Sequence, residues 1–128
     1  MQKVLVVGAG FMGSGIAQVS AQAGHQVHLM DIRNTITDRA LKEIRWSLEK
    51  LAAKALLKEP YEKVFGRISV VENLSTASKM EWVIEAATEA EELKRSIFQE
   101  LDRICRPETP LATNTSTIPI TRLAEDTR

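Results

Sequence analysis

Three glycines and one acid hold the spacing in this sequence that bears most directly on chemistry. Gly8, Gly10 and Gly13 form a Gly-x-Gly-x-x-Gly pattern directly after the apolar run Val4-Leu5-Val6-Val7. A small-residue helical stretch follows, and Asp31 closes the next apolar run, Val27-His28-Leu29-Met30. Each residue type has a physical role in phosphate chemistry. Gly8 allows a sharp turn off a strand where a Cβ would clash. Gly10 lets the backbone approach a pyrophosphate, and Gly13 lets the helix lie close to the sheet. The first N–H groups of that helix lack intrahelical acceptors and point at an anion. A basic side chain is not needed there, and Ala9, Phe11 and Met12 supply none. A carboxylate at Asp31 can accept hydrogen bonds from the ribose hydroxyls of a dinucleotide and would repel a 2′-phosphate, while Arg33, two residues on, is a cation within reach of one. Strand, glycine turn, helix, strand and acid occur in the order of a dinucleotide-binding βαβ unit, the context that raises the pattern above a glycine-rich loop.

The elements that must position these residues can be read from periodicity. The first helix is expected over 11–23, ended by Gly24 in a left-handed cap. A long amphipathic helix is expected over 35–58, with Leu41, Ile44, Leu48, Leu51 and Ala55 on one stripe and Pro60 as its stop. At ~36 Å it would project beyond a compact sheet, its outer face either solvated or offered to a partner. Residues 61–66 read as a connector, 67–71 as a third strand, 74–79 as a turn or short helix and 82–87 as a buried fourth strand. A helix over 90–105, a short strand over 111–113 and a last short helix over 118–125 complete the series. Alternating strands and helices imply an α/β fold with a doubly wound parallel sheet in a single domain. Ligands of such sheets bind outside the carboxyl ends of the strands. The glycine turn, Asp31, the stretch from Glu85 to Glu89, and Asn114-Thr115-Ser116 all fall at those ends.

Bulk properties exclude several classes. With 128 residues the chain is long enough for one domain with a core. Seventeen basic residues balance seventeen acidic ones, which gives no electrostatic case for nucleic acid or an anionic membrane. The single cysteine, Cys105, allows no internal disulfide and no cysteine-based metal site. His25 and His28 have no chelating partner at suitable spacing, so no metal is expected. No apolar run is long enough to span a bilayer, and the first strand begins too near Met1 for a leader peptide. The expected location is the cytoplasm.

Taken together, Val6-Val7-Gly8-Ala9-Gly10-Phe11-Met12-Gly13-Ser14-Gly15-Ile16-Ala17-Gln18, Gly24-His25, Asp31, Ile84-Glu85-Ala86, Glu89, Lys94 and Thr113-Asn114-Thr115-Ser116 resemble the NAD-binding domain of the L-3-hydroxyacyl-CoA dehydrogenase family, which includes 3-hydroxybutyryl-CoA dehydrogenases. The resemblance covers nearly the whole chain. It implies NAD as cofactor, with residues 8–13 at the pyrophosphate and Asp31 at the adenosine ribose. Glu89 and Lys94 would lie at the nicotinamide half, and Ser116 at the junction of nicotinamide and substrate, bonding the reacting oxygen. Ser47 and Lys54 match positions where the family touches coenzyme A, so an acyl-CoA substrate is implied. The sequence departs from the family at Ala90, where Asn is usual. Residues 1–128 contain no match to the family's catalytic His in its His-x-Phe-Asn-Pro pattern, the Glu that orients it, or the helical second domain that completes the substrate site and homodimer. Taken alone, these residues are expected to bind NAD without turnover. Two alternatives stand beside this reading: a dehydrogenase of the 3-hydroxyisobutyrate or 6-phosphogluconate type, and a stand-alone NAD-binding or sensing module.

Overall fold

A computed structural model describes residues 1–31, 33–86, 91–106 and 108–113, apart from the side chains of Glu91, Leu93, Lys94, Leu111 and Thr113. Five parallel strands form one sheet: β1 (Lys3–Val7), β2 (Gln26–Met30), β3 (Ile68–Val70), β4 (Trp82–Glu85) and β5 (Leu111–Thr113). Their order across the sheet is β3-β2-β1-β4-β5. Between them run α1 (Phe11–Gln22), α2 (Asn34–Ala53), α3 (Tyr61–Phe65), a 3₁₀ turn (Leu74–Lys79) and α4 (Glu91–Ile104). The strand order reverses between β1 and β4, which makes the crevice beyond their carboxyl ends the switch point of a doubly wound sheet.

Both faces of the sheet are covered, which explains why its central strands are almost continuously apolar. Val4, Val6, Val27 and Leu29 point to one side, where Ala17 and Ala21 of α1 and Ala40, Ile44 and Leu48 of α2 cover them. Leu5, Val7, Met30 and Val83 point to the other, against Ala77, Met80, Leu101 and Cys105. Period-two alternation thus sorts one strand into two cores.

Two helices end by the same hydrogen-bond motif, and the comparison accounts for one difference from expectation. After α1, Gly24 has φ +96°, and the His25 and Gly24 N–H groups bond back to the Ser20 and Ala21 carbonyls at 3.1 and 3.0 Å. After α2, the Leu56 and Ala55 N–H groups do the same to the Leu51 and Ala52 carbonyls at 2.9 and 3.0 Å. Here the left-handed position is Ala55, at φ +57°. Alanine favours helix, so the apolar pattern reads on to Lys58, whereas the helix stops at Ala53 and is about 30 Å long. Its inward stripe packs from Thr37 to Leu51. The connector over 61–66 contains a helical turn, α3, whose Val64 is buried in the same core. Between these helices, Arg67 donates from Nη1 and Nη2 to the Glu59 carboxylate at 2.9 and 2.6 Å, and from Nη1 to the Ala21 carbonyl at 3.0 Å. One guanidinium therefore ties the end of α1 to the segment after α2.

Ala55→Gly is expected to raise stability by up to about 1 kcal/mol in denaturant melts, because glycine enters the left-handed region without a Cβ clash. A lower midpoint would show that the turn does not need that conformation. The Arg67 hydrogen bonds, opposed by burial and aided by Lys63, pull Glu59 down to about 2 from 4.5. Its contribution is therefore complete above about pH 4.5 and disappears as pH falls toward 2. Glu59→Gln should flatten the loss of stability across that interval, measured by thermal melts at each pH. An unchanged acid slope would assign the loss to other carboxylates.

Candidate cofactor site

Backbone hydrogen bonds fasten the end of β1 to the strands on either side of it. Gly8, at φ +110°, donates its N–H to the Met30 carbonyl at 2.6 Å, and the Ala86 N–H bonds to the Val7 carbonyl at 2.8 Å. A Cβ on Gly13 would stand 1.8 Å from the Gly8 carbonyl oxygen. The helix can therefore reach the turn only with glycine at this position.

Gly10 is different. It has an ordinary extended backbone, φ −72° and ψ −163°, and a Cβ there would meet nothing within 4 Å. Neither conformation nor packing calls for glycine here, and its bare backbone stands open to the space outside the fold. Gly10 is also the N-cap of α1 and caps it with no side chain, and the first helical turn carries no acid. By helix geometry the N–H groups of Phe11, Met12 and Gly13 lack intrahelical acceptors. An uncapped positive helix end beside an open backbone is the arrangement a phosphate anion fits. The Ala9 N–H does not face that space: it donates to Asp31 Oδ2 at 3.0 Å. Beside the turn lies a cavity of about 260 Å³ lined by Ala9, Gly10, Phe11, Ile36, Ala40 and the ion pair of Arg39 with Glu43, 3.6 Å apart. Arg39 is a cation that sequence reading missed. It stands eight residues beyond Asp31, and only the packing of α2 against α1 brings it to the glycine turn.

Asp31 follows the last residue of β2, and its side chain is 4 % exposed. Oδ1 accepts from the Arg33 N–H at 3.0 Å and Arg33 Nε at 3.1 Å, and Oδ2 accepts from Arg33 Nη2 at 3.3 Å as well as from Ala9. Burial alone would push this carboxyl up; the hydrogen bonds from the Arg33 side chain and from the Ala9 and Arg33 backbone, with the guanidinium charge, outweigh it and hold it below the usual value. Asp31 is therefore a carboxylate at neutral pH.

On the outer side of α1, a groove of about 800 Å³ separates it from α2, with Phe11, Met12, Gly15, Val19, Trp46 and Ser47 among its walls. Ser47 Oγ accepts from Gln18 Nε2 at 3.0 Å across it. Lys54 is the C-cap of α2, exposed and not among the groove's walls, so the structure does not bring these two residues to one cavity. Glu85 at the end of β4 is completely buried and therefore cannot meet a substrate as it stands. His25 accepts from the Gln2 N–H at 3.2 Å and is a loop residue. His28 lies on β2 with its pKa lowered, by burial first and by Lys3 second. Lys94 lies in the first turn of α4, and its side chain is outside the described residues. Glu89, Ser116 and the helix expected over 118–125 lie wholly outside them.

Comparison with known proteins agrees with this geometry. Residues 3–128 match the family model described as 3-hydroxyacyl-CoA dehydrogenase, NAD binding domain. A probable 3-hydroxybutyryl-CoA dehydrogenase of Deinococcus radiodurans is 44% identical over 119 residues, 93% of this chain and 43% of that protein. The 3-hydroxyadipyl-CoA dehydrogenase of Escherichia coli K12 is 39% identical over 127 residues, 98% of this chain and 27% of that protein. The crystal structure of 3-hydroxybutyryl-CoA dehydrogenase from Escherichia coli K12 superposes with a TM-score of 0.95 at 39% identity, covering 99% of this chain and 27% of that one. The Ralstonia eutropha (S)-3-hydroxybutyryl-CoA dehydrogenase gives 0.92 at 36% identity, over 99% and 45%. The chain thus spans less than half the length of these relatives. No helix among the described residues is long and apolar enough to cross a membrane. By the extent of the family match and the agreement of fold, this chain belongs to the 3-hydroxyacyl-CoA dehydrogenase family and is its NAD-binding domain.

Proposed function

We propose that the chain forms the cofactor half of an NAD-dependent 3-hydroxyacyl-CoA dehydrogenase acting on acyl-CoA substrates in the cytoplasm, with the whole enzyme a homodimer through a C-terminal helical domain. The observation that carries the reading is Gly10, a glycine that the fold does not need, at the uncapped start of α1. The N–H groups of Phe11, Met12 and Gly13 donate to the pyrophosphate, and Asp31 accepts from the adenosine ribose. Glu89 and Lys94 serve the nicotinamide half. Ser116 holds the reacting oxygen of the substrate, and Ser47 and Lys54 serve the coenzyme A moiety from α2, with Lys54 as a point charge for its phosphates. Bound NAD supplies hydride acceptance from C3 of the 3-hydroxyacyl group. The proton left on the hydroxyl needs a base within hydrogen-bond reach. Glu85 is buried, both histidines lie on the adenosine side, and an unactivated serine is too weak a base. Residues 1–128 therefore bind the cofactor without completing the reaction.

Gly10→Ala should melt within about 1 °C of the parent and lose NADH affinity by more than about tenfold, since the added methyl occupies ligand space and not protein space. Gly13→Ala should instead lose about 3 kcal/mol of stability or fail to fold. Fluorescence titration with NADH beside thermal melting separates the two, and unchanged affinity in Gly10→Ala would reduce the glycine pattern to a turn.

NADH oxidation with acetoacetyl-CoA should be undetectable for residues 1–128 in a sample that binds NADH. Losing a positioned base alone typically removes about 10²–10⁴-fold. Saturable turnover would mean that a base among Glu85, Glu89 and Ser116 does the work.

A further inference from the structure

The Asp31 carboxylate is fully engaged within the protein. Its two oxygens accept four hydrogen bonds, at 3.0 to 3.3 Å, and a carboxylate offers about four acceptor sites. Two of the donors, the Ala9 and Arg33 backbone N–H groups, are fixed by the fold. The other two belong to the Arg33 guanidinium, which is 59% exposed and held by nothing else among the described contacts. A ribose diol cannot bond to Asp31 as it stands without displacing that guanidinium.

We propose that Arg33 is a cofactor-discriminating latch: it competes with the adenosine ribose for Asp31, and once displaced it remains beside the 2′ position as a cation that favours a 2′-phosphate. The proposal rests on the dinucleotide reading above. Arg33 lowers affinity for NADH, raises it for NADPH, and so narrows the preference that Asp31 alone would impose. The energetic scale is modest, because the Arg33 side chain is 59% exposed and the ribose diol replaces the two hydrogen bonds it breaks. The direction is fixed by geometry, since the same two side-chain hydrogen bonds must break for the ribose to bond in their place.

The test measures dissociation constants of NADH and NADPH by fluorescence for the parent chain, Arg33→Ala, Asp31→Asn and the double variant. Asn at residue 31 keeps an acceptor for the Ala9 N–H, so the fold is retained, which melting checks. Arg33→Ala should bind NADH about two- to fivefold more tightly and NADPH more weakly, widening the NADPH-to-NADH ratio by at least about threefold. In the Asp31→Asn background, removing Arg33 should no longer tighten NADH. A ratio that widens less than about threefold overturns the proposal, as does equal tightening of NADH with and without the Asp31 charge. A parent chain that binds neither dinucleotide overturns the cofactor reading itself, and the latch with it. Binding with an unmoved ratio overturns the latch alone.

Discussion

The close approach of Gly13 to the Gly8 carbonyl sets the rest of the domain. With a Cβ placed only 1.8 Å from that oxygen, α1 can sit where it does against β1 only because position 13 has no side chain. That contact fixes the start of α1 at the crevice between β1 and β4, where the sheet order reverses. It also explains the composition of the helix. Gly13, Ser14, Ala17 and Ala21 face inward, so the helix axis stays close to the strands. Backbone hydrogen bonds from Gly8 and Ala86 hold the turn. A loop already ordered loses little further freedom on binding.

Features set by residue type were legible in the sequence, and those set by tertiary contact were not. The strands, α1, α4 and the parallel α/β architecture follow from apolar runs and glycine placement. The cap at Gly24 is legible because glycine announces a positive φ. The equivalent cap at Ala55 is invisible for the opposite reason, since alanine signals helix continuation, and the turn that follows it brings Leu57 against the core. The helical turn α3 was hidden because five residues carry too little periodicity to distinguish helix from loop. In the site, the three glycines and Asp31 could be placed from spacing alone. The Gln18–Ser47 bridge and the position of Arg39 depend on which faces of α1 and α2 meet, which no linear pattern records, whereas the Arg33 fork is a rotamer choice between residues two apart.

The two sides of α1 divide the labour of the domain. Its inner stripe is small and packs the sheet, while Phe11, Met12, Gly15 and Val19 lie exposed on its outer side. A helix apolar on both sides shows no clean amphipathic stripe, and for that reason its small residues were a better guide than its periodicity. Gly15 stands in the helix interior with open space around its Cβ position, where alanine would be favoured by about 1 kcal/mol. Like Gly10, it is not demanded by the fold itself.

Asp31 is a buried acid on which both the fold and the proposed ribose contact draw. A carboxylate at 4% exposure must be compensated, because an unpaired charge away from water is costly. The Ala9 N–H supplies part of that compensation and in doing so ties the glycine turn to the end of β2. If a ribose replaces the Arg33 guanidinium, the carboxylate keeps its backbone donors and exchanges one pair of outer donors for another. Its charge is then compensated in both states, while the tie to Ala9 stays unbroken. This arrangement lets the fold bury an ionised acid at the carboxyl end of β2. The same carboxylate is the one to which the proposed ribose contact falls.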